Sequence, residues 1–255
     1  YATVISQGVA AVLCFIVMFK KHDILRTGRE DYYWDNQGIL RMLSIGIPMA
    51  LNYSITAIGT MILQSAINVF GSSTVAAFTA ASKVSNIATQ TFPTLGTAMA
   101  TYCGQNLGAG KYKRITQGMR QSFYLCFVAA ALAALICCCV GPFMVSWFIS
   151  NPSAETMNAA MQYLYTISAF MIPLGWIFIY RNGLQGLDRG FLPMLSGVVE
   201  LVSRYVVILI AAKPYGYLGV CFADPAAGLG TGIMLLIAYL AWKHQMSEHI
   251  KACEE

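Results

Sequence analysis

Residues 117–148 read QGMRQSFYLCFVAAALAALICCCVGPFMVSWF, and Arg120 is the only charged residue in the run. An α-helix needs about 20 predominantly apolar residues to cross a hydrocarbon core roughly 30 Å thick. This stretch supplies them without interruption. Outward from it, further apolar runs lie near 1–19, 46–70, 73–101, 156–180, 191–212 and 216–242. Hydrophobic residues make up 57% of the chain and charged residues 11%, against about 25% charged in soluble domains. The pattern predicts an all-α polytopic membrane protein with seven transmembrane helices.

The charges are sorted. Net charge is +5, from 16 basic and 11 acidic residues. Alternating the helices places 20–37, 102–116, 181–190 and 243–255 on one side of the membrane. With the helix-end Arg41 and Arg120, that side holds Lys20, Lys21, Arg26, Arg29, Lys111, Lys113, Arg114, Arg181, Arg189, Lys243 and Lys251, and the other side only Lys213. An excess of Lys and Arg marks the cytoplasmic side, so the C-terminus is expected there. Basic residues spread over four loops do not make a nucleic-acid surface.

Cys14, Cys103, Cys126, Cys137, Cys138, Cys139 and Cys221 lie in or at the ends of apolar runs, Cys253 lies in the tail, and no C-x-x-C pair occurs. His22, His244 and His249 are all in cytoplasmic segments. Buried cysteine behaves as a small hydrophobe, so no metal site is expected. A membrane-embedded enzyme would need a nucleophile and base within the bilayer, and no His is placed there. A seven-helix photoreceptor would need a lysine midway along its last helix, and 216–242 has none.

The first apolar run, YATVISQGVAAVLCFIVMFKK, carries its positive charge after the apolar residues, whereas a signal peptide carries it before. The last run, FADPAAGLGTGIMLLIAYLAWKH, also begins aromatic-Ala and ends at a cytoplasmic Lys. Weak similarity at corresponding places is a mark of transporters built from repeats, although so few shared residues also arise by coincidence. On the repeat reading, 1–19 closes a preceding lobe and 20–45 (KKHDILRTGREDYYWDNQG and onward) is a cytoplasmic inter-lobe linker. Residues 46–242 are then a six-helix C-terminal lobe, and 243–255 a cytoplasmic tail.

Gly104-Gln105-Asn106-Leu107-Gly108-Ala109-Gly110-Lys111 joins the third and fourth runs. A phosphate loop needs Gly where Gln105 stands and Ser or Thr where Tyr112 stands, and it follows a strand. The segment reads instead as a tight turn between helices. In its wider context, YCGQNLGAGKYKRI, it resembles the cytoplasmic loop signature of the multidrug and toxic compound extrusion (MATE) family. Gly46-Ile47-Pro48, Leu63-Gln64-Ser65-Ala66-Ile67-Asn68 and Gly183-Leu184-Gln185-Gly186 fit the same family in order. The resemblance covers essentially the whole chain, as the last helix of a first lobe, the linker and a complete second lobe. It implies two six-helix lobes around a central cavity, and export of cationic or amphiphilic compounds in exchange for protons or sodium ions, with no other cofactor. It departs from the family where some branches carry carboxylates. The corresponding segments here, NYSITAIG and SAFMIPLGWIF, have none.

Ionisable residues inside membrane helices are costly and mark candidate functional sites. Here they are Lys83, Glu200, Arg204 and Asp224. By residue count Lys83 matches Glu200 in depth and Arg204 matches Asp224, while Glu200 and Arg204 also stand i, i+4 on one helix. They are expected to form a near-neutral network, serving either as a brace between helices or in transport. Neutralised carboxylates carry protons poorly, which would put the coupling carboxylate in the preceding lobe. Asn52, Thr56, Thr60, Gln64 and Asn68 form a polar stripe on the second helix, and Lys83, Asn86 and Gln90 one on the third. Such residues bond between helices or line a wet cavity; Asn52, Thr56, Lys83, Asn86 and Gln90 are the cavity candidates. Pro48, Pro93, Pro173, Pro193 and Pro225 fall inside helices, with Asp224-Pro225 and the following Gly228, Gly230 and Gly232 expected to bend or pack closely.

The expectation is therefore one lobe of a secondary active antiporter in a prokaryotic plasma membrane, and not an enzyme. Its partners would be small amphiphilic or cationic substrates, the lipid bilayer and an N-terminal lobe. The alternative is a lipid-linked oligosaccharide flippase of related architecture, whose cavity would be more strongly cationic. Charge sorting predicts that Cys253 and the 104–114 loop face the cytoplasm and the Asn151-Pro152-Ser153 turn faces outward. Impermeant thiol labelling of single-cysteine variants in intact cells should modify a cysteine placed at 151 and spare Cys253. Labelling of Cys253 from outside would reverse the topology.

Overall fold

A computed structural model describes residues 1–21, 34–149 and 152–254. Most of the expected linker (22–33), Asn151 of the expected outer turn, and the side chains of Lys251 and Cys253 in the tail lie outside the described set. Every regular element among the described residues is helical. In chain order these are α1 (Ala2–Lys21), α2 (Asn36–Asn68), α3 (Ser72–Thr89), α4 (Thr91–Gly108), α5 (Tyr112–Leu135), a π-helical turn (Ile136–Val140), α6 (Gly141–Phe148), α7 (Ala154–Ala169), α8 (Met171–Gly186), α9 (Phe191–Cys221) and α10 (Ala223–Glu254).

Among the described residues, five spans, including 112–148 taken as one, are long and apolar enough to cross a membrane; α7 and α8, bent by 56°, make a sixth when counted together. The remaining expected span, 73–101, is delivered as α3 and α4, 18 residues each. Proline chemistry accounts for both divisions. A proline has no N–H to donate to the carbonyl of residue i−4, and its ring crowds that carbonyl. Pro93 points this defect at Thr89 and Pro173 at Ala169, and those are the last residues of α3 and α7. Pro142 does the same to Cys138, where the helix widens into the π turn and continues. Pro225 is placed in the same way, in the first turn of α10 and four residues after Cys221, the last residue of α9. The chain reverses at Gly216, where the seventh apolar run begins and φ is 56°. Gly228 and Gly232 pack toward Ile177 and Pro173 on α8, and Gly230 on the other side of the helix is set against Ser203 Oγ on α9.

Helices outrun the apolar segments that announce them. α2 starts at Asn36, inside the segment assigned to the linker, because Asp35 caps it: Gln37 N donates to Asp35 Oδ1 at 3.0 Å. α10 likewise continues through the segment assigned to a tail. Polar residues at headgroup level remain helical once a capped helix is under way. At α7, Ser153 Oγ accepts from Thr156 N and Glu155 lies in the first turn, both favourable at a helix N-terminus.

Residues 1–42 and 43–255 are separate compact units. Within the first, α1 is apolar and exposed along nearly its whole length. Within the second, α8 is central and packs against α4, α5 and α10, while α9 lies along α10 and α7 along α3. Phe92, Ile115, Leu164, Met171, Leu184 and Leu235 fill the core.

The Gly104–Lys111 motif is the last turn of α4 and its exit. Lys111 N donates to Asn106 O at 2.8 Å and Gly110 N to Leu107 O at 3.0 Å, the paired bonds of a Schellman termination. This geometry needs a left-handed residue, and Gly110 supplies it at φ 68°. Asn106 Nδ2 donates to Tyr102 O at 2.8 Å, and Tyr102 OH reaches forward to Arg114 O at 3.1 Å. α8 ends the same way, with Arg189 N on Leu184 O at 3.1 Å and Asp188 at φ 60°. The two helices come together where Gly186 lies so close to Ala100 that a Cβ would overlap its carbonyl. Gly108 faces open space.

Gly186→Ala should therefore overpack the α4–α8 contact at a cost of about 1–3 kcal/mol, whereas Gly108→Ala should be neutral or slightly stabilising. Thermal unfolding in detergent checks this; equal melting of the two variants would remove the contact from the account.

Candidate functional site

The second unit holds a half-open cavity of about 500 Å³ bordered by α2, α3, α7, α8, α9 and α10. α2 contributes Tyr53, Thr56, Thr60 and Gln64, α3 contributes Ser82, Ser85, Asn86 and Thr89, and α7 contributes Tyr163. One side carries a chain of opposite charges. Arg181 Nη2 donates to Glu200 Oε2 at 2.9 Å, and Arg204 Nη2 donates to Glu200 Oε1 at 3.2 Å. Arg204 Nε donates to Asp224 Oδ1 at 3.0 Å, and Tyr163 OH donates to Asp224 Oδ2 at 3.3 Å. Four helices are thus joined by one alternating series, α8–α9–α10–α7. Its net charge is zero.

Local structure explains each placement. Glu200 and Arg204 share a face of α9 at i, i+4. Asp224 reaches them because the reversal at Gly216 returns the chain beside α9, so that the first turn of α10 stands level with Arg204. Arg204 lies against α2 at Gly59, where a Cβ would collide with its Nη1. That Nη1, with Arg181 Nε, Thr56 Oγ1 and Ser82 Oγ, is buried without a hydrogen-bond partner.

The expected residues divide. Glu200, Arg204 and Asp224 are brought together, and Thr56 and Asn86 line the cavity. Lys83 is not in the network: its Nζ lies 5.3 Å from the centre of the Phe148 ring, a cation–π contact at the end of α6. Residue counting gave the depth of its Cα, but a long lysine stem carries the ammonium elsewhere. Asn52 is a buried structural amide, donating through Nδ2 to Pro193 O at 2.6 Å and tying α2 to α9. Gln90 sits at the α3–α4 break, and neither it nor Asn52 borders the cavity.

Arg181 takes the place expected for Lys83. The charge count had set it in a cytoplasmic loop, but α8 runs on to Gly186. Its signal was available: Arg181 and Glu200 stand almost equally far before and after the turn at Gly190, hence at one depth in the hairpin. Tyr163 and Ser82 gave no signal beyond being polar in apolar runs. No grouping of three His, Cys, Asp or Glu suited to a metal occurs among the described residues. The described cysteines are free thiols.

The MatE family profile matches residues 48–210. The chain is 26% identical over 245 residues to the probable multidrug resistance protein YpnP of Bacillus subtilis, covering 94% of this chain and 52% of that protein. It is 25% identical over 255 residues to the FAD transporter of Shewanella oneidensis, covering 98% and 54%. Its fold is similar to that of a MOP superfamily transporter from Pyrococcus furiosus, with a TM-score of 0.85 at 19% identity over 98% of this chain and 56% of the other. The chain spans about half the length of the curated relatives it matches.

Breaking a buried ion pair by removing one partner costs about 3–5 kcal/mol, because the other charge is left uncompensated. Arg204→Gln strands Asp224 and should be the most damaging single change. Adding Asp224→Asn should restore part of the loss. Lys83→Met should cost only the ring contact, about 0.5–1 kcal/mol. Thermal unfolding of the purified variants ranks them, and a Lys83→Met loss as large as that of Arg204→Gln would contradict the assignment.

Proposed function

The chain belongs to the MatE family, and from that membership we propose that it is the C-terminal lobe, with the preceding helix, of a secondary active antiporter that exports drugs or organic cations. In this reading 1–19 is the last helix of an N-terminal lobe, 20–45 joins the lobes, and 46–242 is the second lobe. The protein sits in a prokaryotic plasma membrane with its C-terminus in the cytoplasm. The family already accommodates different cargoes, since relatives of the chain are named as multidrug resistance proteins and as an FAD transporter.

The observation that carries the proposal is the lining of the cavity. Tyr53, Phe78, Tyr163 and Phe178 present aromatic surface there, beside hydroxyls and amides from α2 and α3. Aromatic faces attract organic cations, and a neutral ionic wall neither repels nor traps them. Both guanidiniums that border the cavity are paired with carboxylates. The flippase reading, which needs a strongly cationic cavity, is supported less.

Mechanistically, the network belongs to the body of the lobe. It links α7, α8, α9 and α10, so that these helices move together when the lobe rocks against its counterpart. α2 closes the cavity through Thr56, Thr60 and Gln64. Glu200 and Asp224 are each committed to an arginine, and the α2 and α7–α8 segments lack the carboxylates of some family branches. Coupling to protons or sodium ions is therefore assigned to the N-terminal lobe.

The test is gradient-driven efflux of ethidium from liposomes. The protein carrying both lobes should export the dye when a proton or sodium gradient is imposed, and residues 1–255 alone should not. Coupled export by residues 1–255 would defeat the lobe assignment; failure of the two-lobe protein under either gradient would defeat the antiport.

A further inference from the structure

A second cleft, of about 480 Å³, opens between α5 and α10 and is separate from the central cavity. α8 forms its floor. That helix turns Ile177, Phe178 and Arg181 to the cavity and Tyr180 to the cleft. Tyr180 is buried and packs on Tyr239 of α10, ring centres 5.4 Å apart. At the mouth stand Arg120 and Gln117 from α5 and Lys243 from α10. Arg120 and Lys243 are exposed, no carboxylate lines the cleft, and neither cation has an ion pair among the described residues. The local charge is therefore positive and uncompensated, unlike that of the cavity.

The surroundings narrow the ligand. Along the helix faces that line the cleft, α5 exposes Tyr124 and Phe127, and α10 exposes Leu240 next to Tyr239. A small soluble anion has no use for such flanks. An amphiphile with an anionic head and acyl chains matches both parts. The cleft lies at the end of the lobe that charge sorting assigns to the cytoplasm, where the leaflet is rich in anionic lipid. We propose that the cleft between α5, α8 and α10 binds the phosphodiester head group of an anionic phospholipid, held by Arg120 and Lys243, with the acyl chains along the exposed apolar faces of α5 and α10. The site is independent of the transport cavity and stands whether or not the cargo assignment does.

Native mass spectrometry of the purified protein, titrated with phosphatidylglycerol and with phosphatidylethanolamine, reads the preference directly. The anionic lipid should bind more tightly. Arg120→Gln and Lys243→Gln should each weaken it by about fivefold, and together should abolish the discrimination. The charge-preserving pair Arg120→Lys with Lys243→Arg should keep the discrimination, which separates charge from folding. Lys113→Gln, a basic residue outside the cleft, should leave it unchanged. Equal binding of the two lipids, a double Gln variant that still discriminates, or complete displacement of the lipid by millimolar inorganic phosphate would each overturn the proposal.

Discussion

A charge at the centre of a bilayer must be paired, and Arg204 is where this chain meets that requirement. An isolated charge there costs about 2.5–3.5 kcal/mol on insertion scales. Arg204 is shared between Glu200 and Asp224, and Glu200 also accepts from Arg181. Every charge of the series is paired only if α8, α9 and α10 stand in one arrangement. Glycine at position 59 matters for the same reason, since any side chain there would push the guanidinium off its partners. The polar groups thus specify a packing that the apolar surfaces, nearly uniform along these helices, would leave loose.

Proline placement shapes what the charges hold together. Pro93 and Pro173 each divide a span one turn upstream. The bend between α7 and α8 lets Tyr163, inside the expected span, and Arg181, just past its end, reach the same ionic series from opposite ends. A straight helix would present its polar positions along a single winding stripe. The broken one presents them around a concave wall.

Much of this was legible in the residues. The spans, the helical termination at 104–111 and three members of the ionic series follow from apolar length, glycine chemistry and depth. What escaped did so for definable reasons. Depth is one-dimensional: it placed Lys83 and Glu200 at one level but could not say that they lie on different sides of the lobe. Charge sorting treats every basic residue near a helix end as solvated, which hid Arg181. Apolar length sees the hydrocarbon core alone, so Asp35 and its cap, outside that core, marked the true start of α2 unseen. Asn52 looked like a cavity residue because an amide at mid-helix reads alike whether it faces water or a neighbouring carbonyl.

The π turn at Ile136–Val140 has a consequence for register. A π turn spreads the backbone over an i→i+5 bond, accommodating one residue more than the α-helix it interrupts. Each residue of an α-helix advances the azimuth by about 100°. Gly141 and Val145, the buried positions of α6, therefore face inward because a surplus residue precedes them. Loss of a single cysteine from Cys137-Cys138-Cys139 would remove that surplus residue and turn the outer end of the helix by about 100° relative to its neighbours. In comparing relatives, a one-residue gap here is thus a change of which face of the helix is inside, and composition alone would never reveal it.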